Sequence, residues 1–212
     1  MPCTAKKMEA ARPQFQHEGK PDVDLVLTTQ EIINMIKESG IQLPQLDLEA
    51  PDLPFGLGSG AGTIYGTTGG VAEAVVRHCM PDKSRNTLRA LEYSPLRGNE
   101  SIREATIPVG DREIKLAVVH GLINAQKLLK EIDEGTAYYD LIEVMTCPNG
   151  CVGGAGQPYG LKAKKQARSA GLYATDRSAP FKRAEYNPGV TSILQKLTHE
   201  QRHELLHVSY QK

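Results

Sequence analysis

Residues 143–158 read EVMTCPNGCVGGAGQP, with Cys147 and Cys151 four positions apart and a glycine-rich run after them. Residues 1–9 read MPCTAKKME and supply a third cysteine, Cys3. A bulky inorganic cofactor needs thiolates together with backbone that can be approached closely. The two stretches therefore predict a cluster site that is one ligand short.

The composition argues against several classes of function. The chain has 212 residues, of which 40% are hydrophobic, so it can fill an ordinary buried core. Lys and Arg number 25, as do Asp and Glu, which leaves no net field to gather nucleic acid or an anionic membrane. No apolar run approaches the roughly 20 residues of a membrane span, and the N-terminus lacks the apolar core of a secretory signal. We therefore expect a soluble cytoplasmic protein without nucleic-acid or membrane partners.

The other cysteines have different predicted settings. Pro2 can occupy a first helical turn, which would put Cys3, Lys6 and Lys7 on neighbouring positions of one helix face. The fourth cysteine, Cys79, lies in an apolar helical stretch and is predicted to be a small buried hydrophobe. Disulfides are not predicted, because a chain of this length does not need them.

Periodicity and turn residues predict an α/β fold. A capping box at residues 28–31 opens a helix that runs to Gly40, and the prolines of residues 43–54 forbid regular structure before a glycine-rich loop at residues 56–70. The last predicted strand ends at the cysteines, where open α/β sheets bind their ligands. Strands are predicted at residues 23–27, 91–93, 104–109, 113–119 and 139–145, and helices at 71–78, 122–132, 161–170, 190–197 and 200–207.

Other metal and nucleotide sites are weaker interpretations. A C-x-x-x-C pair alone also suits zinc, but no histidine lies within a short loop of it, and the radical-initiating iron–sulfur spacing would need a cysteine where Gly154 stands. Residues 203–207 fit the H-E-x-x-H helix of zinc metalloproteases, although they end five residues before the C-terminus. We expect instead a terminal helix that docks through Leu205 and Leu206. Neither phosphate-binding glycine pattern occurs, so no nucleotide is predicted on this chain.

The same stretches carry a family resemblance. The chain resembles the C-terminal part of the catalytic domain of iron-iron hydrogenases, enzymes that interconvert protons, electrons and dihydrogen. Residues 1–9 meet the family's second signature, M-P-C-x-x-K-x-x-E, without exception. Residues 143–158 meet the third, E-x-M-x-C-x-x-G-C-x-x-G-G-G-Q-P, except that Ala155 replaces the middle glycine. Residues 60–74 resemble the family's glycine-rich segment, with Tyr65 for the usual Phe and Ala72 for the usual Met, and residues 203–207 resemble its C-terminus.

The resemblance implies a fold and a domain organisation. The chain would be an α/β lobe of the hydrogenase catalytic domain, with a largely parallel sheet flanked by helices. Its core would span about residues 1–160, and a C-terminal helical extension would span about residues 161–212.

The resemblance also implies a cofactor, the H-cluster. This is a cubane four-iron four-sulfur cluster joined through one cysteine sulfur to a two-iron centre that carries CO, cyanide and a bridging dithiolate. Cys3, Cys147 and Cys151 would ligate the cubane, and Cys151 would supply the bridging sulfur. Lys6 would donate a hydrogen bond to an iron-bound cyanide.

The remaining motif residues would shape the pocket. Met1 and Met145 would pack soft side chains around the two-iron centre, and Tyr65 and Gly66 would line the cavity. The positive end of the helix after the glycine-rich loop would offset the anionic charge of the cluster.

The resemblance further implies a partner, because the family's first signature, T-S-C-C-P, is absent. One of its cysteines is the fourth cubane ligand and the adjacent one relays protons. We expect a hydrogenase subunit that carries this signature and the accessory iron–sulfur clusters, unless the sequence is the tail of a longer polypeptide. Diaphorase subunits are candidate further partners, with ferredoxin or NAD(P) as electron acceptor.

Two other functions stay open. One is a non-catalytic relative that acts in iron–sulfur assembly, as a scaffold or as a sensor, and the other is a redox-silent remnant. Lys6 and Met145 argue against the first, because a plain cubane has no cyanide or carbonyl to contact.

Overall fold

The computed structural model describes residues 3–50, 52–81, 84–92, 94–98 and 100–208. Met1, Pro2 and Tyr93, to which the sequence assigned roles, lie outside these residues. The chain forms two compact units. The first comprises Met1–Gly56, Gly154–Tyr159 and Pro188–Lys212, and the second comprises Leu57–Gly153 and Gly160–Asn187.

The helices and strands are numbered along the chain. The helices are α1 Ala5–Ala10, α2 Thr29–Glu38, α3 Gly60–Ile64, α4 Gly70–Cys79, α5 Arg85–Glu92, α6 Leu122–Asp133, α7 Lys162–Ser178, α8 Pro188–Gln195 and α9 His199–Leu206. The strands are β1 Gln16–His17, β2 Lys20–Pro21, β3 Ile102–Val109, β4 Arg112–His120 and β5 Leu141–Met145. The predicted helices of the second half are confirmed, and α7 runs eight residues further than expected.

The first unit contains the predicted capping box. Thr28 Oγ1 accepts a hydrogen bond from Glu31 N at 3.2 Å, and Glu31 Oε2 accepts one from Thr28 N at 2.8 Å, so α2 begins where the sequence indicated. The strand predicted at residues 23–27 is wrong. Leu25 is 70% exposed and these residues pair with no other strand in the described part of the chain. The local pairing is instead the two-residue hairpin of β1 and β2.

The second unit contains a three-stranded sheet in the order β3-β4-β5. β3 and β4 are antiparallel and join at Gly110, whose φ is +62°, whereas β4 and β5 are parallel. The sheet is thus mixed rather than largely parallel, because a two-residue turn can only join antiparallel neighbours. The α/β class and the flanking helices are as expected.

Alternate residues of β4 face two separate cores. Leu116 and Val118 pack with residues of α4 in one buried cluster, while Ala117 and Val119 pack beneath α6 in another. Side chains alternate across a strand, so this pattern places helices on both faces of the sheet. The parallel edge strand β5 leads directly to the cysteines.

Three side-chain or strand predictions are wrong. Leu91, expected in a strand, lies in α5, where it and Leu88 are buried one helical turn apart. Cys79, the last residue of α4, is exposed rather than buried. Leu205 and Leu206 are 69% and 65% exposed, so α9 does not dock through them within this chain. Among the residues that the structure describes, no helix is long and apolar enough to cross a membrane.

Candidate cofactor site

The two cysteines of the second unit lie on one compact turn, residues 147–153, here called the cysteine turn. Gly150 N donates to Cys147 O at 3.0 Å, and Asn149 and Gly150 have φ values of +68° and +81°. Two successive left-handed residues reverse the chain, and Cys151 then opens a short 3-10 turn. Cys147 and Cys151 are both partly buried, and neither forms a disulfide.

A second loop, residues 65–70, lies against the cysteine turn. Val152 N donates to Gly66 O at 3.0 Å. Gly150 approaches so closely that a Cβ on it would lie 2.7 Å from Thr68 N and 2.9 Å from the Met145 sulfur. The structure therefore brings Met145, Gly66 and the cysteine turn together.

Tyr65 and Gly66 differ in their surroundings. Tyr65 follows α3 and is 45% exposed. Gly66 is partly buried, and a Cβ on it would lie 2.7 Å from Leu172 Cδ1 of α7. Leu172 would therefore have to shift to accommodate a side chain at position 66.

Glu143 binds the 65–70 loop and the start of α4. Its side chain is buried, and its two carboxylate oxygens accept hydrogen bonds from Gly69 N at 2.6 Å and Ala72 N at 2.8 Å. The positive N-terminus of α4 therefore already has an anionic partner within the chain. The sequence predicted instead that it would offset the charge of the cofactor. In the sequence, Glu143 stands out only as a match to the third signature. The available signal was a carboxylate in the middle of an apolar strand, which requires a partner.

Arg103, which the sequence did not single out, holds the other side of the same loop. Its guanidinium donates to Thr68 O at 3.1 Å and to Leu96 O at 3.1 Å, and also to the carbonyls of Pro95 and Glu100. Burial lowers the pKa of Arg103, and the nearby charge of Glu143 acts in the opposite direction. Arg103 and Glu143 thus fix the 65–70 loop from two strands.

A buried ionic cluster joins α4 to α7. Arg77 donates to both oxygens of Asp176 at 2.8 Å and to Glu73, and Arg97 donates to Glu73 at 2.8 Å and to Asp176 at 3.0 Å. Burial alone would raise the pKa of Asp176, but the hydrogen bonds from Arg77 hold it below its ordinary value. Arg97 also covers the ring of Tyr173 at 4.3 Å. Each charged side chain that is buried in this cluster therefore has an oppositely charged partner.

The N-terminal stretch belongs to the first unit. Helix α1 begins at Ala5, so Cys3 precedes the helix instead of lying on its face as expected. Lys6 forms an ion pair with Glu9, the last residue of the second signature, and Lys7 Nζ lies 3.0 Å from Glu31 Oε1. Lys7 therefore joins α1 to the start of α2, and Lys6 remains about 40% exposed.

The remainder of the third signature also lies in the first unit. Gln30 N donates to Gly156 O at 3.0 Å, and Gln157 N donates to Gly154 O at 3.0 Å. Ala155 is exposed, so the methyl group that departs from the signature enters no packed interior.

The histidines of α9 are exposed. The rings of His203 and His207 stack with their centroids 4.5 Å apart. Within the described ranges, no three or more His, Cys, Asp or Glu side chains are grouped so that they could hold a metal ion.

Comparisons with known proteins agree with the motifs. Residues 1–155 match the family described as "Iron only hydrogenase large subunit, C-terminal domain", and residues 162–212 match "Iron hydrogenase small subunit". The NADP-reducing hydrogenase subunit HndD of Solidesulfovibrio fructosivorans is 40% identical over 218 residues, which cover 100% of this chain and 37% of that protein. Iron hydrogenase 1 of Clostridium pasteurianum is 36% identical over 223 residues, which cover 100% of this chain and 39% of that protein.

Other relatives have a different name, and solved structures share the fold. Cytosolic iron-sulfur assembly component 3 of Pongo abelii is 35% identical over 99% of this chain and 46% of that protein. The FeFe-hydrogenase HydA1 from Chlamydomonas reinhardtii superposes with a TM-score of 0.77 at 35% identity, over 99% of this chain and 61% of that one. The chain thus spans less than half the length of these curated relatives and 61% of the solved chain. With the matching profile, the two signatures and the shared fold, the chain belongs to the iron-only (FeFe) hydrogenase family.

Proposed function

We propose that this chain is part of the catalytic domain of an FeFe hydrogenase that converts dihydrogen reversibly into protons and electrons. The observation that carries the proposal is the joint packing of the cysteine turn, the 65–70 loop and the Met145 sulfur. Cys3, Cys147 and Cys151 would provide three cubane thiolates, and Cys151 would also bridge to the two-iron centre.

The residues present fit such a cofactor. Cys147 and Cys151 are thiols outside any disulfide on a turn whose backbone is fixed, and thiolates are the usual ligands of iron–sulfur clusters. Gly66 and Gly150 carry no side chain at the point where the loop meets the turn. Met145 adds a soft, apolar sulfur beside them.

When bound, the H-cluster supplies the chemistry of dihydrogen, and the chain holds and shapes its surroundings. Lys6 would donate from its ammonium group to a cyanide, with Glu9 orienting it. Met1 and Met145 would exclude water from the two-iron side, and Tyr65 and Gly66 would line that side. Glu143 and Arg103 would keep the 65–70 loop in place.

A further segment must complete the site. We propose that a hydrogenase subunit carrying the first signature brings the fourth cubane ligand, the proton-relaying cysteine and accessory iron–sulfur clusters. The extra length of the relatives, of which the chain covers 37% and 39%, supports this proposal. Electrons would pass to ferredoxin or, through diaphorase subunits, to NAD(P). A cytoplasmic location would keep the thiols reduced. We also propose the division into a core of about residues 1–160 and an extension of about residues 161–212.

A second function has one observation in its favour. Proteins named as cytosolic iron-sulfur assembly components match 99% of this chain at 35% identity. In that case, the cysteines would hold a plain cubane, and Lys6 would keep its partner Glu9.

Infrared spectroscopy separates the two functions. The chain is co-expressed with the subunit that carries the first signature and with the maturation enzymes. We expect bands of iron-bound CO and cyanide that disappear in Cys151→Ser. Cys79→Ser is the matched control, because Cys79 is exposed and outside the signatures, and it should keep the bands. A matured, iron-loaded complex without such bands would refute the hydrogenase and favour the assembly function.

A further inference from the structure

We propose that Glu143 sets the reduction potential of the cubane as a buried negative charge fixed beside the cysteine turn, an inference that rests on the proposed function. The third signature assigns the cubane ligands to cysteines, so Glu143 is not a ligand of the cubane. It is a positioning residue, because it touches the 65–70 loop and would act on the cofactor through its charge and through that loop.

The position of the carboxylate is fixed by its contacts. Glu143 is 7% exposed and lies on β5, four residues before Cys147. Its two oxygens accept from two different amides, Gly69 N at 2.6 Å and Ala72 N at 2.8 Å. A glutamine has only one acceptor oxygen and would turn an amide N–H₂ toward one of these N–H groups. The site therefore fits a carboxylate and not its neutral isostere.

The loop that Glu143 holds is the one that contacts the cysteine turn. Gly66 O accepts from Val152 N at 3.0 Å, and a Cβ on Gly150 would lie 2.7 Å from Thr68 N. The buried carboxylate and the turn thus contact the same loop. A charge at this depth is poorly screened by salt.

The local charges determine the sign of the effect. Two positive sources lie near Glu143, the N-terminus of α4 and the Arg103 guanidinium. Glu143 offsets both of them. Removal of its charge would leave the surroundings more positive, which favours the electron added on reduction and so raises the potential.

The test uses the full chain, reconstituted without oxygen from equal amounts of ferrous and ferric iron and from sulfide, with a small thiol as fourth ligand. The potential of the cubane is measured by a redox titration followed by electron paramagnetic resonance. We expect Glu143→Gln to shift the potential upward at both low and high salt. Glu143→Asp, which keeps the charge, should stay close to the wild-type potential.

The controls are matched in charge and in stability. Glu113→Gln removes the same charge from an exposed position on β4 and should leave the potential unchanged. All proteins carry Gly171→Ala, because this helical glycine of α7 has open space around it and alanine there favours the helix. If Glu143→Gln does not fold alone, it is measured in the complex with the subunit carrying the first signature, which stabilises the folded state by binding to it.

The outcomes separate this inference from the proposed function. A wild-type chain that holds no cubane, alone or in the complex, refutes the proposed function. A cubane of equal content and equal potential in wild type and Glu143→Gln overturns the role of Glu143 while leaving the function intact. A shift of the same size in Glu113→Gln would also overturn it, since it would show a general charge effect.

Discussion

Gly150 illustrates how a single residue couples two parts of the site. It needs a positive φ to reverse the cysteine turn, and it also needs the absence of a Cβ to approach Thr68. The sequence indicates the first requirement through the Asn149-Gly150 pair. The second depends on a loop about 80 residues earlier in the chain and is visible only in the structure.

Gly150→Ala should destabilise the chain by about 1–3 kcal/mol or more, because it adds backbone strain to a steric clash. Gly135→Ala is the matched control. Gly135 has a φ of +71° but no atom within 4 Å of the added Cβ, so it isolates the backbone cost. Urea unfolding of both variants measures the difference. Equal losses would mean that the contact with Thr68 does not constrain position 150.

At the scale of elements, helix ends are controlled by two kinds of interaction. The start of α2 is fixed by a local interaction, because Thr28 and Glu31 cap it and lie only three residues apart. The sequence therefore shows this capping pattern directly. The start of α4 is not local, because its cap is Glu143, 71 residues from Ala72. The sequence therefore indicates the first cap, but no local pattern indicates the second.

The capping box should make the stability of the first unit depend on acid pH. Hydrogen bonds from the Thr28 backbone and from Lys7 lower the pKa of Glu31 from 4.5 to about 2. The stabilisation is therefore complete above about pH 4.5 and is lost as the pH falls toward 2. Glu31→Gln keeps a capping residue at this position but cannot titrate there. Thermal unfolding is measured from pH 6 to pH 2. The wild type should unfold at a higher temperature than this variant at pH 6, and the difference should shrink as the pH falls. A constant difference across the range would contradict the role of Glu31.

The ionic cluster between α4 and α7 gives the largest expected loss of stability. Asp176→Ala removes from both Arg77 and Arg97 an acidic partner that they share in the interior, and breaking a buried pair costs about 3–5 kcal/mol. Asp133→Ala, an exposed aspartate at the end of α6, should change stability by less than about 0.5 kcal/mol. Chemical denaturation compares the two. A loss at Asp176 no larger than at Asp133 would mean that water solvates the arginines.

At the scale of the whole molecule, the first unit has an apolar surface that it does not bury. Residues 41–55 expose several large apolar side chains, namely Ile41, Leu43, Leu46, Leu48, Leu53 and Phe55. Exposed apolar side chains that form a contiguous patch are typical of an interaction surface. The proposed subunit with the first signature is the occupant that we expect.

Hydrogen exchange can test this contact. Backbone amides of residues 41–50 should exchange more slowly in the complex with that subunit than in the chain alone. The exposed end of α6 around Asp133 is the internal reference and should not change. Unchanged exchange at residues 41–50 in an intact complex would show that the subunit binds elsewhere.

The sequence by itself determined what depends on neighbours along the chain. The α2 cap, the helices of the second half and the turn that reverses at Asn149 and Gly150 all rest on interactions across a few residues. The signatures likewise identified the cysteines and the family.

Tertiary structure decided what depends on distant partners. The carboxylate of Glu143 reaches Gly69 across 74 residues, and Arg77 reaches Asp176 across 99 residues. A buried charge needs a partner, and that partner can come from any part of the chain that the fold places nearby. The local sequence therefore does not indicate which residue the partner is. The same physical reason explains the missed strand at residues 23–27, since a strand exists only where another backbone is present to bond with it.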